Sequence, residues 1–161
     1  MSTWIAVKFN GEDEAERVLK ALHEAHKDGA GLGIDDSAIV TMGQDGKVNV
    51  KNAVDVGVKW GAVGGGMFGL LLTGLFLGPI GAILIGVGAG ALIGKSLGMG
   101  IDKKFLADIK EKVTPGTSAL CVIIKHANPS VFFGAIRPYE GEILYTNLEA
   151  EDEETLKRAL Q

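Results

Sequence analysis

The feature that constrains this chain most is a run of 35 residues, positions 60–94, without a charged side chain. Lys59 and Lys95 bound the run. It is longer than the roughly 20 apolar residues that one transmembrane helix needs, and it is long enough for two short helices. A Gly78-Pro79 pair near its middle is typical of a turn, and proline suits the first turn of the helix that follows. The run therefore predicts a helical hairpin over residues 57–98.

Glycine recurs every four residues in both halves of this hairpin. This spacing puts each set on one stripe of a helix, where a second backbone can approach closely. Because glycine in a helix interior costs about 1 kcal/mol relative to alanine in water, such helices require tight packing. The stripes therefore predict helix packing and assembly into a homo-oligomer through a glycine zipper. The two sets are Gly57, Gly61, Gly65 and Gly69, and Gly86, Gly90, Gly94 and Gly98.

Each predicted helix also carries a second apolar face that could take part in association. The first face consists of Phe68, Leu72, Leu75 and Phe76, and the second consists of Ile83, Leu84, Val87 and Leu92.

The residues at the two ends of the hairpin predict its setting. Lysines flank both ends, so the positive-inside rule places both ends, and with them both chain termini, in the cytoplasm. Lys59, Trp60 and Lys95 are the expected membrane-interface residues. The prediction is a hairpin in the inner membrane, with the lipid bilayer as a partner. The same stripes would serve equally well inside a large cytoplasmic assembly, because glycine packing needs only a close neighbour.

Composition excludes several classes of protein. The 161 residues include 24 glycines but only 4 prolines, which fits neither collagen nor a disordered Pro/Gly tract. The single cysteine excludes a disulfide scaffold and a CxxC site. A net charge of −4 disfavours nucleic acid as a partner.

The polar remainder, residues 1–56 and 99–161, reads as one discontinuous α+β domain. Periodicity and turn residues predict the order β-α-β(β)-α-β-α-β-α, which contains the order of a ferredoxin-like α/β sandwich with the hairpin inserted. Residues 118–125 form the most continuously apolar strand, which should be central. The strands are expected at 4–9, 37–42, 47–51, 118–125 and 142–147, and the helices at 12–27, 102–113, from 128, and at 151–161.

Several motifs also resemble those of a known family. They are Asp45-Gly46-Lys47-Val48, the glycine-zipper hairpin with Gly78-Pro79, Gly100-Ile101-Asp102, Pro115-Gly116-Thr117-Ser118-Ala119-Leu120 and the acidic C-terminal helix. In this combination the chain resembles the domain of unknown function 1269 family of bacteria and archaea. The resemblance implies a small predicted membrane protein without an established activity, and it adds no catalytic residue.

Other candidate sites are weaker. Residues 89–96 fit a loose Walker A pattern, but they lie inside the apolar run, where the zipper explains Gly94 and the membrane edge explains Lys95. His23 and His26 are spaced to share a metal, yet no third ligand is evident, which favours a solvated helix face. Phe132, Phe133, Arg137 and Tyr139 could line a small pocket, although core packing explains the phenylalanines better. We therefore expect no catalytic, cofactor-binding or metal-binding residue, and the sequence identifies no small-molecule ligand.

Three hypotheses of function follow. The first is a non-enzymatic membrane protein that self-associates through the hairpin. The second is a self-assembling building block whose hairpins are buried between protomers of a cage or filament. The third, an enzyme or ligand sensor built on the ferredoxin-like domain, rests on analogy of fold alone.

Overall fold

The computed structural model describes residues 3–27, 31–52, 72 and 103–161. These residues form an α+β fold with a five-stranded antiparallel sheet and four helices. The elements are β1 (Thr3–Phe9), α1 (Glu14–Lys27), β2 (Leu32–Met42), β3 (Val48–Asn52), α2 (Lys103–Lys112), β4 (Thr117–Ala127), α3 (Pro129–Ile136), β5 (Glu142–Thr146) and α4 (Ala150–Ala159).

The strands lie in the order β3-β2-β4-β1-β5, and every neighbouring pair is antiparallel. The first eight residues of β4, 117–124, are all buried. A strand that is apolar on both faces must be covered on both faces, and β4 is indeed the middle strand of five. The predicted central strand is thereby confirmed.

Strand β2 starts at Leu32, five residues earlier than the sequence pattern predicts. The hydropathy pattern does not reveal this start, because Gly33 and the acidic pair Asp35-Asp36 interrupt the apolar residues. Pairing with β4 compensates for the weak propensity, and irregularities beside Ile34 adjust the register. The hydrogen-bonded pairing with the central strand β4 therefore determines where β2 begins.

The turn between β2 and β3 forms at Gln44-Asp45-Gly46, a sequence typical of a hairpin turn. Gly43 N–H donates to the carbonyl of Lys47 at 2.9 Å, which closes the hairpin. Gly46 has a φ of +80°, a conformation that a side chain disfavours. This explains why the turn signal predicted the turn correctly.

The first face of the sheet is covered by α1, α3 and α4, which together bury the larger core. Helix α3 is capped by Asn128, whose Oδ1 accepts from Ser130 N–H at 3.0 Å, as the Asn-Pro sequence predicts. The buried members of this core are Ile5, Val7, Phe9, Ala15, Val18, Leu19, Leu22, Leu32, Ile34, Ile39, Leu120, Val122, Ile124, Phe132, Ile136, Leu156, Ala159 and Leu160.

A buried serine joins β4 to the loop before α1. Ser118 Oγ donates to the carbonyl of Gly11 at 2.6 Å and accepts from Ala15 N–H at 3.1 Å. Ser118 and Ala15 are fully buried, so water cannot replace the lost bond to the Ala15 N–H. We expect Ser118→Ala to lower the free energy of unfolding by about 1–3 kcal/mol, because the buried N–H of Ala15 loses its partner and the partly buried carbonyl of Gly11 loses a hydrogen bond.

Urea denaturation followed by circular dichroism would measure this loss. The matched control is Thr155→Ala, because Thr155 Oγ1 donates at 3.0 Å to the carbonyl of Glu151 at an exposed position. That control should stay within about 0.5 kcal/mol of the wild type. Equal effects of the two variants would contradict the role given to Ser118.

Candidate functional site

The second face of the sheet, opposite α1, carries the feature that bears most directly on function. Its centre is a row of small side chains, because Cys121 on β4 pairs with Ala38 on β2 and with Ala6 on β1. All three residues are completely buried. Small side chains project only a short distance from the sheet, so the backbone of another element can approach it closely. We call this surface the second face; its buried sheet residues are Ala6, Ala38, Val40, Ala119, Cys121 and Ile123.

Helix α2 covers part of the second face. Its Ile109 is fully buried in this cluster, and Val113, just beyond the helix, is 3% exposed. The helix lies towards the edge strand β5, where Lys112 Nζ is 3.3 Å from Glu142 Oε1. Because β5 and β2 are separated by two strands, α2 lies towards one side of this face.

Leu72 also belongs to the cluster on the second face. It is helical and fully buried, and it belongs to the predicted first helix of the hairpin. The sequence assigned it to an apolar face available for association. Here Leu72 itself packs in the cluster on the chain's own sheet. The signal for this contact is one small residue on each of three strands, Ala6, Ala38 and Cys121, which sequence reasoning did not use.

Cys121 lies beneath this cover. Burial raises the pKa of its thiol well above the ordinary value, and the negative charge of Asp36 adds to the shift. A thiol held neutral in an apolar cluster is a poor nucleophile and behaves as a small apolar side chain. Cys121 is therefore a buried structural residue.

The two phenylalanines of α3 have both of the roles that the sequence suggested. Phe132 is 6% exposed in the core of the first face, and its ring meets Phe133 edge-on at 5.6 Å. Both also line a cavity of about 190 Å³ at the end of β4, whose rim carries Lys125, His126 and Asp152. Lys125 Nζ is 3.0 Å from Asp35 Oδ1, so the positive charge of Lys125 is paired with this carboxylate. Tyr139 packs against the core of the first face.

The two histidines of α1 have different surroundings. His26 Nδ1 is 2.6 Å from the carbonyl of Leu32, at the start of β2. Partial burial lowers the pKa of His23, and the positive charge of Lys27 lowers it further. In the part of the chain that the structure describes, no three metal-binding side chains lie close enough to hold an ion.

The residues predicted for helix packing, the turn and the membrane interface all lie outside the described residues, as does the Walker-like segment. Within the described ranges, no helix has the length and apolar character to cross a membrane. The residues concerned are Gly57, Gly61, Gly65, Gly69, Gly86, Gly90, Gly94 and Gly98, Gly78 and Pro79, and Lys59, Trp60 and Lys95.

Comparison with known proteins identifies one family. The model of the family described as "Protein of unknown function (DUF1269)" matches residues 62–161, which is 100 of the 161 residues. The match covers most of the apolar run, α2 and everything that follows. No curated protein sequence and no solved structure is significantly similar to the chain. Since the match spans well over half of its length, the chain belongs to the DUF1269 family.

Proposed function

We propose that this protein is a non-enzymatic, membrane-anchored protein that self-associates through a glycine-zipper hairpin at residues 57–98. The observation that carries the proposal is the charge-free run of 35 residues with two glycine stripes. A run without charged side chains can enter the hydrocarbon core of a bilayer without the cost of desolvating a charge. The glycine stripes allow close contacts between helices inside the bilayer. Both features are packing features, so they explain anchoring and association without a chemical step.

The order of the strands supports a ferredoxin-like domain as the polar part of this proposal. Without β3, the sheet reads β5-β1-β4-β2, with antiparallel neighbours throughout. The chain order β1-α1-β2-β4-α3-β5 is then the split β-α-β arrangement of that fold. Strand β3, the apolar run and α2 together form an insertion between β2 and β4. The hairpin would thus leave from an edge strand and return to the same domain.

The charges beside the insertion support a cytoplasmic position for this domain in the inner membrane. Lys51 precedes the hairpin, and Lys103 and Lys104 follow it. Positive residues next to a spanning segment favour the cytoplasmic side, and a hairpin returns its second end to the side of the first.

A second candidate function is favoured by one observation. Leu72 lies against the sheet of its own domain, so at least this part of the hairpin is covered by protein. This supports a self-assembling building block, soluble or lipid-associated, whose hairpins are buried by protein. Heterologous contacts between such protomers would generate rings or filaments.

Fractionation of the native protein tests the two candidates. A membrane anchor should sediment with membranes, resist high salt and carbonate, and dissolve in mild detergent as a small oligomer. A building block should remain in the detergent-free supernatant as large uniform particles, visible by size-exclusion chromatography and negative-stain imaging. Recovery as a detergent-independent monomer would contradict both.

A further inference from the structure

We infer that the second face of the sheet is the docking surface for residues 57–77 of the same chain, which occupy it whenever the hairpin is outside the bilayer. The inference concerns an intramolecular contact and goes beyond the proposed anchoring. It rests on the proposed hairpin only for the limits of the docking segment.

The first argument is the burial of the sheet far from α2. Ala38 and Val40 lie on β2, which two strands separate from the β5 edge that α2 contacts, yet both are completely buried. Aliphatic side chains on one face of a sheet lose all contact with water only when another element covers them. A second cover must therefore lie over β2 and β4.

The second argument identifies that cover. Leu72 is the one described residue between Asn52 and Lys103, and it is fully buried in this cluster. It lies in the first apolar segment, with helical geometry of its own. The occupant of the surface is therefore a segment of this chain, and Leu72 is its contact.

The third argument is complementarity between the two surfaces. In a helix, Gly65 and Gly69 share a face with Leu72, since they precede it by seven and three residues. The cluster that contains Leu72 offers the small side chains of Ala38 and Cys121 on the sheet. A glycine stripe packed on small side chains would let the backbone of the helix come close to that of the sheet. The side chain of Leu72 would fill the space beside this contact.

Docking and membrane spanning exclude one another. Leu72 follows Gly57 by fifteen residues, or about 22 Å along a helix at about 1.5 Å per residue. In a spanning hairpin that begins at the cytoplasmic surface, Leu72 would lie near the far side of the bilayer, away from the sheet. The first segment therefore exchanges between two apolar surroundings, the second face and the lipid.

The single cysteine provides a direct test, because Cys121 lies beneath the docking surface. The full chain is treated with excess maleimide in detergent-free buffer, and labelling is followed by intact-mass spectrometry. Wild-type Cys121 should react slowly. Leu72→Asp should accelerate labelling on the order of 100-fold, and Leu72→Ala less, because a buried charge or a cavity weakens the docked state.

The control variant is Leu156→Ala, which removes a fully buried leucine from the core of the first face and leaves the second face intact. It should label far more slowly than Leu72→Asp. Hydrogen exchange of the β4 amides shows that each variant keeps its sheet. If Leu72→Asp keeps its sheet and labels at the wild-type rate, or if wild-type protection disappears on dilution, docking by the same chain is wrong.

Vesicles of phosphatidylethanolamine and phosphatidylglycerol separate this inference from the proposed function. If both hold, the wild type floats with the vesicles and Cys121 becomes reactive. If the protein does not bind the vesicles but Leu72→Asp still exposes Cys121, anchoring is wrong and docking holds. If it binds the vesicles while Cys121 stays protected in every variant, docking is wrong and anchoring holds.

Discussion

Replacing Gly61 and Gly90 by leucine together is expected to dissociate the proposed homo-oligomer into monomers. Each residue is the second member of its four-residue glycine stripe. A leucine there holds the facing backbones apart by the width of a side chain, which removes the close contacts along the whole stripe. Native mass spectrometry of the detergent-solubilised full chain measures the change. We expect the dissociation constant of the oligomer to rise at least about tenfold, which corresponds to 1.4 kcal/mol or more.

The control for this prediction adds the same volume elsewhere in the hairpin. Gly74 and Gly88 lie off the two stripes, on the other side of the predicted helices at about 100° per residue. Gly74→Leu with Gly88→Leu should leave the oligomer intact. An unchanged oligomer in the stripe variant, or equal loss in both variants, would contradict association through the zipper.

The second large effect concerns the core of the first face. Phe9 is 1% exposed and is the largest fully buried side chain among the described residues. Its ring packs so close to Gly141 that a Cβ at that glycine would lie 2.9 Å from Phe9 Cε1. Phe9→Ala should lower the free energy of unfolding by about 3–5 kcal/mol, because it removes a full aromatic contact and leaves a cavity. Urea denaturation followed by circular dichroism measures this.

Phe9→Leu serves as the control because it keeps much of the buried volume. Its loss of stability should be clearly smaller than that of the alanine variant. A loss below about 1 kcal/mol for Phe9→Ala would mean that the site collapses around the missing ring, which contradicts its place at the centre of the core. Neither variant should alter the reactivity of Cys121 in the folded state, since the two clusters lie on opposite faces of the sheet.

Local patterns in the sequence predicted most of the described elements. The amphipathic spacing of α1, the Asp45-Gly46 turn, the Asn128 cap and the apolar run of β4 each reflect forces that act within a few neighbouring residues. The start of β2 could not be predicted in this way, because its first residues are held by pairing with β4, which is distant in sequence.

The candidate site shows the same division. Glycine spacing and the absence of charge predict a hairpin that needs tight packing, because each stripe is a property of one segment. The surface that receives Leu72 is different, since it exists only when β1, β2 and β4 bring Ala6, Ala38 and Cys121 into one row. Small residues in three separate strands form a surface only when the register between the strands places them side by side.

The sequence by itself therefore determined an α+β chain interrupted by an apolar glycine-striped segment, because composition and periodicity are local properties of the chain. Only the tertiary structure decided the strand order, the burial of Cys121 and the contact of Leu72 with the sheet. Those features arise from pairing between residues far apart in sequence, and such pairing depends on the free energy of the whole fold rather than on the preference of any one segment.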